Sequence, residues 1–497
     1  MIVRLILMAA VAFSTLPVFA ADSASAALLR QALAAQGGEQ RLRALRSISF
    51  QSTGYRNMIE QSERPEGPYF VSFFETTEQH DHAGGAMRRQ SDINPPGGQH
   101  YGATLLVANS IAMQSVGARQ VPGSTRDVQA AKEELALSPE RVLLTALDAG
   151  DAQREADTVL QGVLHYVIRF TLDGAEARLY LNQDTHLPTS LEYCGVLAKT
   201  GYAIYLGDVT MRTFWSYWRL DKHGIRYPMQ WDVQLNGRPS QMMMLRDLKI
   251  DEPTDQKLAI PPGVAKQFNP DAPARTPDTV TLGKDIQELA PGVIQIRSSW
   301  NVTIVDQGDG IVILEAPISS HYSAQVISES KLRFPGKKIK AVVTTSDSWP
   351  HLAGIREYAA NGIPIYALDL SEPIVRRTLD ASYTSHPDAL QLAPRRQDLH
   401  FISGKTLIGA GQNRIELYPL RGETSERQMM AYLPELRLLY GSDPFQRLGN
   451  GEFSDDQAVS ELLDAVAREH LDVDRFFMMH LGPTPFSELK AVFRRID

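Results

Sequence analysis

A change of pattern near Asp285 constrains the fold of this 497-residue chain more than any other feature of its sequence. Before that point, segments such as residues 69–76 and 162–172 are rich in β-branched and aromatic residues, which is typical of strands. After it, short apolar strands alternate with helical segments and several hairpins. This order predicts a β-rich α+β half followed by a sandwich of sheets flanked by helices.

A proline-containing segment, residues 268–281, separates the two patterns. Pro270, Pro273 and Pro277 lie among small and polar residues, which favours an interdomain linker. We therefore predict a signal peptide at residues 1–20, a β-rich domain at 21–267, a linker at 268–284 and a second domain at 285–497.

The first twenty residues have the pattern of a secretory signal peptide. Arg4 supplies a positive charge, Leu5 to Leu16 form a short apolar stretch, and Ala20 ends a small-residue cleavage site. No later segment is long and apolar enough to span a bilayer. The pattern predicts an exported chain, periplasmic or secreted, that begins at Ala21.

Composition excludes one class of partner and one means of stabilisation. The formal net charge is −8, so the chain lacks the basic surface that nucleic-acid binding needs. Cys194 is the only cysteine, so an intramolecular disulfide cannot form. We expect Cys194 to be a small buried residue in a strand, and we expect stability to come from apolar cores.

Two helices are predicted within the β-rich half. Residues 26–36 have the pattern of an amphipathic helix that Gly37 and Gly38 end. Ser138 is suited to cap a second helix, with Pro139 at its first position and residues 142–147 forming its buried face.

Four phrases of the second half carry a resemblance to a known family. They are residues 306–317, 351–358, 430–443 and 479–484. These phrases resemble the opening hairpin, the helix after the metal-binding loop, the strand pair before the bridging aspartate and the final histidine turn of metallo-β-lactamase-fold hydrolases. The resemblance implies an αββα sandwich and a metal-dependent hydrolase site.

The resemblance also implies a first metal ion held by three histidines, and none of them is present. Their positions are occupied by Ser346, Ser348 and Glu423. A hydroxyl is a poor zinc ligand compared with an imidazole. Pro350 stands where the family has the aspartate that orients the attacking water. Asp347 and Glu423 are the only nearby carboxylates that could substitute for it, and neither has the family's spacing.

The implied ligands of the second metal ion are largely retained, as His351, Asp443 and His480. Two imidazoles and one carboxylate suffice for a mononuclear centre, with Glu423 as the candidate additional ligand. The same three residues can instead form a hydrogen-bonded cluster without metal. The expected cofactor is therefore either none or one divalent metal ion, zinc before others.

Weaker phrases in the first half resemble another family. Residues 178–188, residues 224–228 and the leucine-rich helix before Gly37 resemble segments of lipoprotein-carrier domains of the LolA/LppX type. The resemblance implies a curved antiparallel half-barrel whose concave face binds acyl chains. The alternative is a half-barrel that only packs against its neighbour.

A separate pair of histidines lies in the segment from His80 to Gly85. Its sequence matches part of the metal-binding loop motif, but the residues before it lack the other histidines of that motif. The flanking segments have the pattern of a β-hairpin. We predict a solvated turn, although His80 and His82 share a strand face and could hold a metal ion.

Together these observations favour an exported protein with a metallo-β-lactamase fold and a degenerate metal site, acting as a binding protein with little or no catalysis. One alternative is a mononuclear metal-dependent hydrolase of an ester, amide or thioester. The other is a carrier of an apolar or acylated ligand through the first half. The expected partner is a small-molecule or lipid-like ligand.

Overall fold

The computed structural model describes residues 23–59, 64, 67–96, 100–252, 258–274 and 276–493. The predicted signal peptide lies outside this range. Among the residues described, no helix combines the length and the apolar character that crossing a membrane requires.

The first half is built on one sheet of 14 strands. These are β1 (Ser47–Asn57), β2 (Val71–Asp81), β3 (Ala86–Asn94), β4 (Tyr101–Ala108), β5 (Ile111–Val116), β6 (Arg119–Pro122), β7 (Gln153–Arg154), β8 (Thr158–Leu160), β9 (Val163–Leu172), β10 (Ala175–Asn182), β11 (Pro188–Tyr193), β12 (Met211–Leu220), β13 (Arg226–Leu235) and β14 (Arg238–Ile250). Their order is β6-β5-β4-β3-β2-β1-β14-β13-β12-β11-β10-β9-β7, with β8 beside β9. The described strands do not close into a barrel, and the lipid-carrier half-barrel stays a prediction.

Helices bury their apolar residues against this sheet. They are α1 (Ser23–Gln36), α2 (Glu39–Ala44), α3 (Thr125–Leu137), α4 (Val142–Asp148) and α5 (Pro262–Gln267). Leu29 and Leu33 of α1 are fully buried in one core with Val142 and Leu143 of α4, as the sequence pattern predicts.

Two local predictions were wrong. Ser138 does not cap α4, because its hydroxyl donates to the Leu135 carbonyl (2.9 Å) at the end of α3, and α4 begins only at Val142. Cys194 is exposed rather than buried, because β11 ends at Tyr193 and the chain leaves the sheet there.

The second half contains two further sheets, of seven and six strands, each ordered as in the sequence. The first comprises β15 (Asp285–Ala290), β16 (Val293–Arg297), β17 (Val302–Asp306), β18 (Ile311–Leu314), β19 (Ile339–Val343), β20 (Ile365–Leu368) and β21 (Leu399–Ile402). The second comprises β22 (Thr406–Ile408), β23 (Ile415–Pro419), β24 (Met429–Leu433), β25 (Leu438–Tyr440), β26 (Arg475–Phe477) and β27 (Thr484–Pro485). Strands β18 to β21 run parallel, and the strands before them are antiparallel.

Helices cover the outer faces of these two sheets. They are α6 (Ser320–Arg333), α7 (Trp349–Leu352), α8 (Ile355–Ala360), α9 (Glu372–Asp380), α10 (Ala389–Leu392), α11 (Asp456–Arg468) and α12 (Phe486–Phe493). Because side chains alternate along a strand, Val312 and Leu314 share a core with Leu417 and Tyr440 of the second sheet, whereas Ile313 packs in the core of the helices. The result is the helix–sheet–sheet–helix layering expected from the sequence.

Within the described residues, several polar contacts join the two halves, and those of the Asp208 carboxylate are the most numerous. The Asp208 carboxylate accepts hydrogen bonds from the backbone N–H and hydroxyl of Thr384 (2.6 and 2.7 Å) and of Ser385 (3.1 and 2.6 Å). The preceding Gly207 has φ +72°, and a Cβ there would lie 2.4 Å from the Ser382 carbonyl oxygen. The loop before β12 is thereby held against the loop after α9.

Candidate functional site

A strand-to-helix step follows β19, and the one helix predicted at 351–360 is divided into α7 and α8. Val343 ends the strand, and α7 begins at Trp349 with Pro350 in its first turn, where a missing N–H costs no hydrogen bond. His351 of this short helix is only 2 % exposed. Its ring lies against Glu315, which directly follows the neighbouring strand β18.

Glu315 organises the polar cluster around His351, which we call the C-terminal cluster. One of its oxygens lies 3.0 Å from Nδ1 of His351, and the other accepts from the hydroxyls of Thr345 and Tyr440, the latter at 2.9 Å. Thr345 also contacts the hydroxyl of Ser442 (2.8 Å). Glu315 itself is fully buried and has φ +77°, a backbone conformation that L-residues adopt at a cost.

Charge compensation stabilises this buried group. Burial lowers the pKa of His351, but Glu315 and Asp443 outweigh that effect and raise the pKa to about 10. Burial and the charge of Glu315 raise the pKa of Tyr440 well above its usual value. His351 is therefore an imidazolium paired with Glu315 at neutral pH, with Tyr440 a neutral donor.

The other predicted site residues, Asp443 and His480, lie on the outer side of His351. Asp443 Oδ2 is 3.8 Å from Nε2 of His351 and 3.3 Å from Nε2 of His480. Its Oδ1 is buried and has no hydrogen-bond partner among the described residues. The side chains of Asp443 and His480 are 17 % and 22 % exposed, and the ring of Trp300 lies 6.2 Å from that of His480. The structure thus brings all three predicted residues together around one carboxylate.

The two metal ions that the resemblance implies do not fit the residues present. At the positions of the first ion, the Ser346 hydroxyl accepts the Ser348 N–H (3.1 Å). Glu423 is exposed, and its backbone N–H donates to Glu461 (2.8 Å). Asp347 is buried, and its Oδ2 lies 3.8 Å from Nε of Arg427. No imidazole stands at any of the three first-ion positions.

A single ion at the C-terminal cluster would need its histidines closer together. Zinc holds nitrogen ligands at about 2.0–2.1 Å, so two coordinating nitrogens lie at most about 4.2 Å apart. Among the described residues, the one group of three ligating side chains whose ligand atoms all lie within 4.8 Å of one another is found elsewhere. His351 and His480 approach the same Asp443 oxygen without approaching each other that closely.

That group is His80, His82 and Glu140, which we call the N-terminal cluster. The prediction of a solvated turn was wrong, because β2 continues to Asp81 and carries His80 into the interior, where it is 0 % exposed. Glu140 Oε1 lies 2.8 Å from Nδ1 of His80 and 2.9 Å from Nε2 of His82. Sequence reasoning missed the cluster because Glu140 is 60 residues from His80.

Further charged groups surround the N-terminal cluster. Nε2 of His80 lies 2.8 Å from Glu78, which accepts from Arg89 (2.5 Å), and Glu140 also accepts from the Tyr227 hydroxyl (3.0 Å). Burial raises the pKa of Glu78, but Arg89 and His80 lower it to about 2. Burial lowers the pKa of His80, but Glu140 raises it to about 10.

A surface cavity of about 460 Å³ lies on the large sheet of the first half. Its lining is mainly polar and charged, and comprises Glu155, Ala156, Thr158, Leu160, Val167, Arg178, Tyr180, Glu192 and Arg212. Arg212 is paired with Glu192, and Arg178 with Glu155. This cavity is not the apolar groove that a lipid carrier needs, and the carrier hypothesis stays a prediction.

Comparisons with known proteins gave structural neighbours alone. No protein-family model and no curated protein matches the sequence. Among solved structures, a metallo-β-lactamase from Erythrobacter litoralis is 18 % identical, with a TM-score of 0.32, over 42 % of this chain and 94 % of its own. One from Pontibacter korlensis is 15 % identical, with a TM-score of 0.33, over 42 % and 97 %. The neighbours include metallo-β-lactamases.

A third neighbour has another activity. It is the sec-alkylsulfatase Pisa1 from Pseudomonas sp., 15 % identical with a TM-score of 0.32. The match covers 43 % of this chain and 40 % of the sulfatase. In all three comparisons the similarity extends over less than half of the present chain.

Proposed function

We propose that residues 285–497 form a ligand-binding domain that is related to metallo-β-lactamase-fold hydrolases and lacks their two-metal chemistry. The observation that carries the proposal is the filling of the first-ion positions by Ser346, Ser348 and Glu423, with no imidazole at any of them. Two hydroxyls and an exposed carboxylate do not replace three imidazoles as zinc ligands. The signal-peptide pattern of residues 1–20 supports export of the chain.

The C-terminal cluster supports a binding role. Its inner part, Glu315 and His351, is buried and internally paired. Its outer part, Asp443 and His480, is partly exposed beside Trp300 and presents a carboxylate, an imidazole and an aromatic face. A rigid polar floor with a partly exposed rim suits a small polar molecule with an apolar portion.

Zinc content tests the proposal. The full-length protein is loaded with Zn²⁺, desalted and analysed by plasma emission spectrometry, alongside His480→Ala and Glu423→Ala. Because the N-terminal cluster could also hold an ion, the test compares the zinc content of each variant with that of the unchanged protein. We expect both variants to retain the zinc content of the unchanged protein. A loss of two equivalents on His480→Ala would contradict the proposal.

A second candidate function is hydrolysis of an ester, amide or thioester with one metal ion. It is favoured by the orientation of His351, whose Nδ1 is held by Glu315 while Nε2 faces Asp443. A rearrangement that brings His480 closer would complete the ligand set of two imidazoles and one carboxylate.

This candidate predicts that His480→Ala removes one equivalent of zinc together with all turnover of a model ester, while Glu423→Ala changes neither. Turnover that survives His480→Ala would eliminate it.

A further inference from the structure

The N-terminal cluster lies outside the domain that resembles metal-dependent hydrolases, and two of its imidazoles each place a nitrogen against the same carboxylate oxygen. We propose that His80, His82 and Glu140 form a structural zinc site. The three ligand atoms lie within 4.8 Å of one another. Two imidazoles and one carboxylate form a ligand set that zinc accepts, with a fourth position left for water or another oxygen.

The distances from Glu140 to the two imidazoles require little adjustment. Ligand atoms around a tetrahedral zinc ion lie about 3.3 Å apart, since each is about 2.0–2.1 Å from the metal. Nδ1 of His80 and Nε2 of His82 lie 2.8 and 2.9 Å from the same oxygen of Glu140. A retreat of that oxygen by about half an ångström brings both of its distances to coordination spacing, and the two nitrogens, which lie within 4.8 Å of each other, would close to the same spacing around the ion. The protons that now lie between these nitrogens and Glu140 would leave as the ion enters.

The surrounding contacts match those that orient zinc ligands. A coordinating histidine usually donates its other ring N–H to a carboxylate, which fixes the ring and raises its basicity. Here Nε2 of His80 lies 2.8 Å from Glu78, and Arg89 holds that carboxylate at 2.5 Å. The second oxygen of Glu140 accepts from the Tyr227 hydroxyl at 3.0 Å, which leaves Oε1 for the ion.

A purely internal ion-pair network explains this arrangement less well. Both histidines direct a nitrogen at the same oxygen of Glu140, while Arg89 and Tyr227 occupy outer positions. One imidazolium would suffice to neutralise Glu140. Two imidazoles that approach one oxygen are close enough to share a cation with it.

The location indicates a structural role. His80 belongs to β2, His82 follows that strand and Glu140 lies in the connection between α3 and α4, so one ion would join the end of β2 to this connection. Tyr227 of β13 contacts the ligand Glu140. His80 and Glu140 are almost fully buried, whereas the His82 side chain is 6 % exposed and lies nearest to solvent. A chain that has one cysteine gains from such a cross-link the constraint that a disulfide would supply.

Metal binding to the full-length protein tests the proposal. The protein is stripped with a chelator and titrated with Zn²⁺ by calorimetry, and Co²⁺ is used in parallel because its visible absorption reports coordination geometry. We expect one equivalent to bind at this site with a tetrahedral Co²⁺ spectrum. His82→Ala should weaken that binding more than 10-fold, and Glu78→Gln about 10- to 100-fold.

Matched variants separate this site from the others. His223→Ala replaces an exposed histidine of the same half and should bind like the unchanged protein. His480→Ala should also keep the ion, so its result tests the C-terminal domain and not this site. Circular dichroism of the stripped variants checks folding, and His82→Gln replaces His82→Ala if the latter unfolds. The proposal fails if the unchanged protein binds no zinc, or if the folded His82 variant binds it normally.

Discussion

At the residue scale, Glu315 connects more side chains of the C-terminal cluster than any of the predicted metal ligands does. It is fully buried, and three side chains, those of His351, Thr345 and Tyr440, depend on its two oxygens. The sequence contained a usable signal, a single carboxylate at the end of the apolar strand β18. The resemblance gives no role to this position, so it does not indicate Glu315.

Glu315→Ala should lower the free energy of unfolding by about 3 kcal/mol, because it leaves His351 as a buried charge without its partner. Urea denaturation at neutral pH measures the change. Glu423→Ala is the control, since Glu423 is exposed in the same domain and its replacement should have an effect within about 0.5 kcal/mol. Equal effects of the two substitutions would show that Glu315 does not organise the cluster.

At the element scale, Glu461 fastens helix α11 to the loop before β24. Its carboxylate accepts hydrogen bonds from the backbone N–H groups of Glu423, Thr424 and Ser425. It also accepts hydrogen bonds from the hydroxyls of Thr424 and Ser425. Burial raises the pKa of Glu461, but the bonds from Ser425 and Thr424 outweigh burial and lower it to about 2. Loop conformation in this region therefore follows from a residue on a helix that comes later in the chain.

Glu461→Gln should lower the free energy of unfolding at pH 7 by about 2 kcal/mol, because charge-assisted hydrogen bonds become neutral ones. The lowered pKa sets the sign of the pH dependence. The carboxylate stabilises the fold above pH 4.5, its ordinary pKa, and this contribution disappears as the pH falls towards about 2. The difference between the two proteins should shrink over that range.

Denaturation with urea at several pH values measures this difference. Asp464→Asn, on the exposed side of the same helix, is the control and should show a small difference that does not vary in this way. A difference for Glu461→Gln that stays constant from pH 5 to about pH 2 would contradict the prediction.

At the scale of the whole molecule, the buried apolar residues fall into separate cores. The main core of the first half contains buried residues from Leu29 to Ile250, and the three large cores of the second half contain buried residues from Leu289 to Leu489. The predicted boundary at 268–284 lies between them and stays a prediction. Among the described contacts that cross this boundary, the largest polar group consists of the four hydrogen bonds that the Asp208 carboxylate accepts from Thr384 and Ser385.

Asp208→Ala should loosen the association of the halves. The loss of four hydrogen bonds to a carboxylate should lower the free energy of unfolding by about 2 kcal/mol and speed limited proteolysis within residues 268–284. Mass spectrometry of the fragments locates the cuts. Asp184→Ala removes an exposed carboxylate of the first half and should leave the cleavage rate unchanged. Equal cleavage rates for both variants would contradict a coupling role for Asp208.

The sequence by itself determined the elements and layers of the second half, because apolar periodicity and turn residues act locally. Strands β16 to β19 lie at the predicted apolar runs 293–296, 302–305, 311–314 and 339–344, and α8 lies within the helix predicted at 351–360. It also determined that the first-ion positions lack histidines. Tertiary structure alone decided which polar groups meet. Glu140 reaches His80 across 60 residues, and Glu315 reaches His351 across 36. The periodicity of apolar residues indicates which face of a helix or strand is buried. Contacts between residues that are distant in the sequence depend on how the sheets and helices pack.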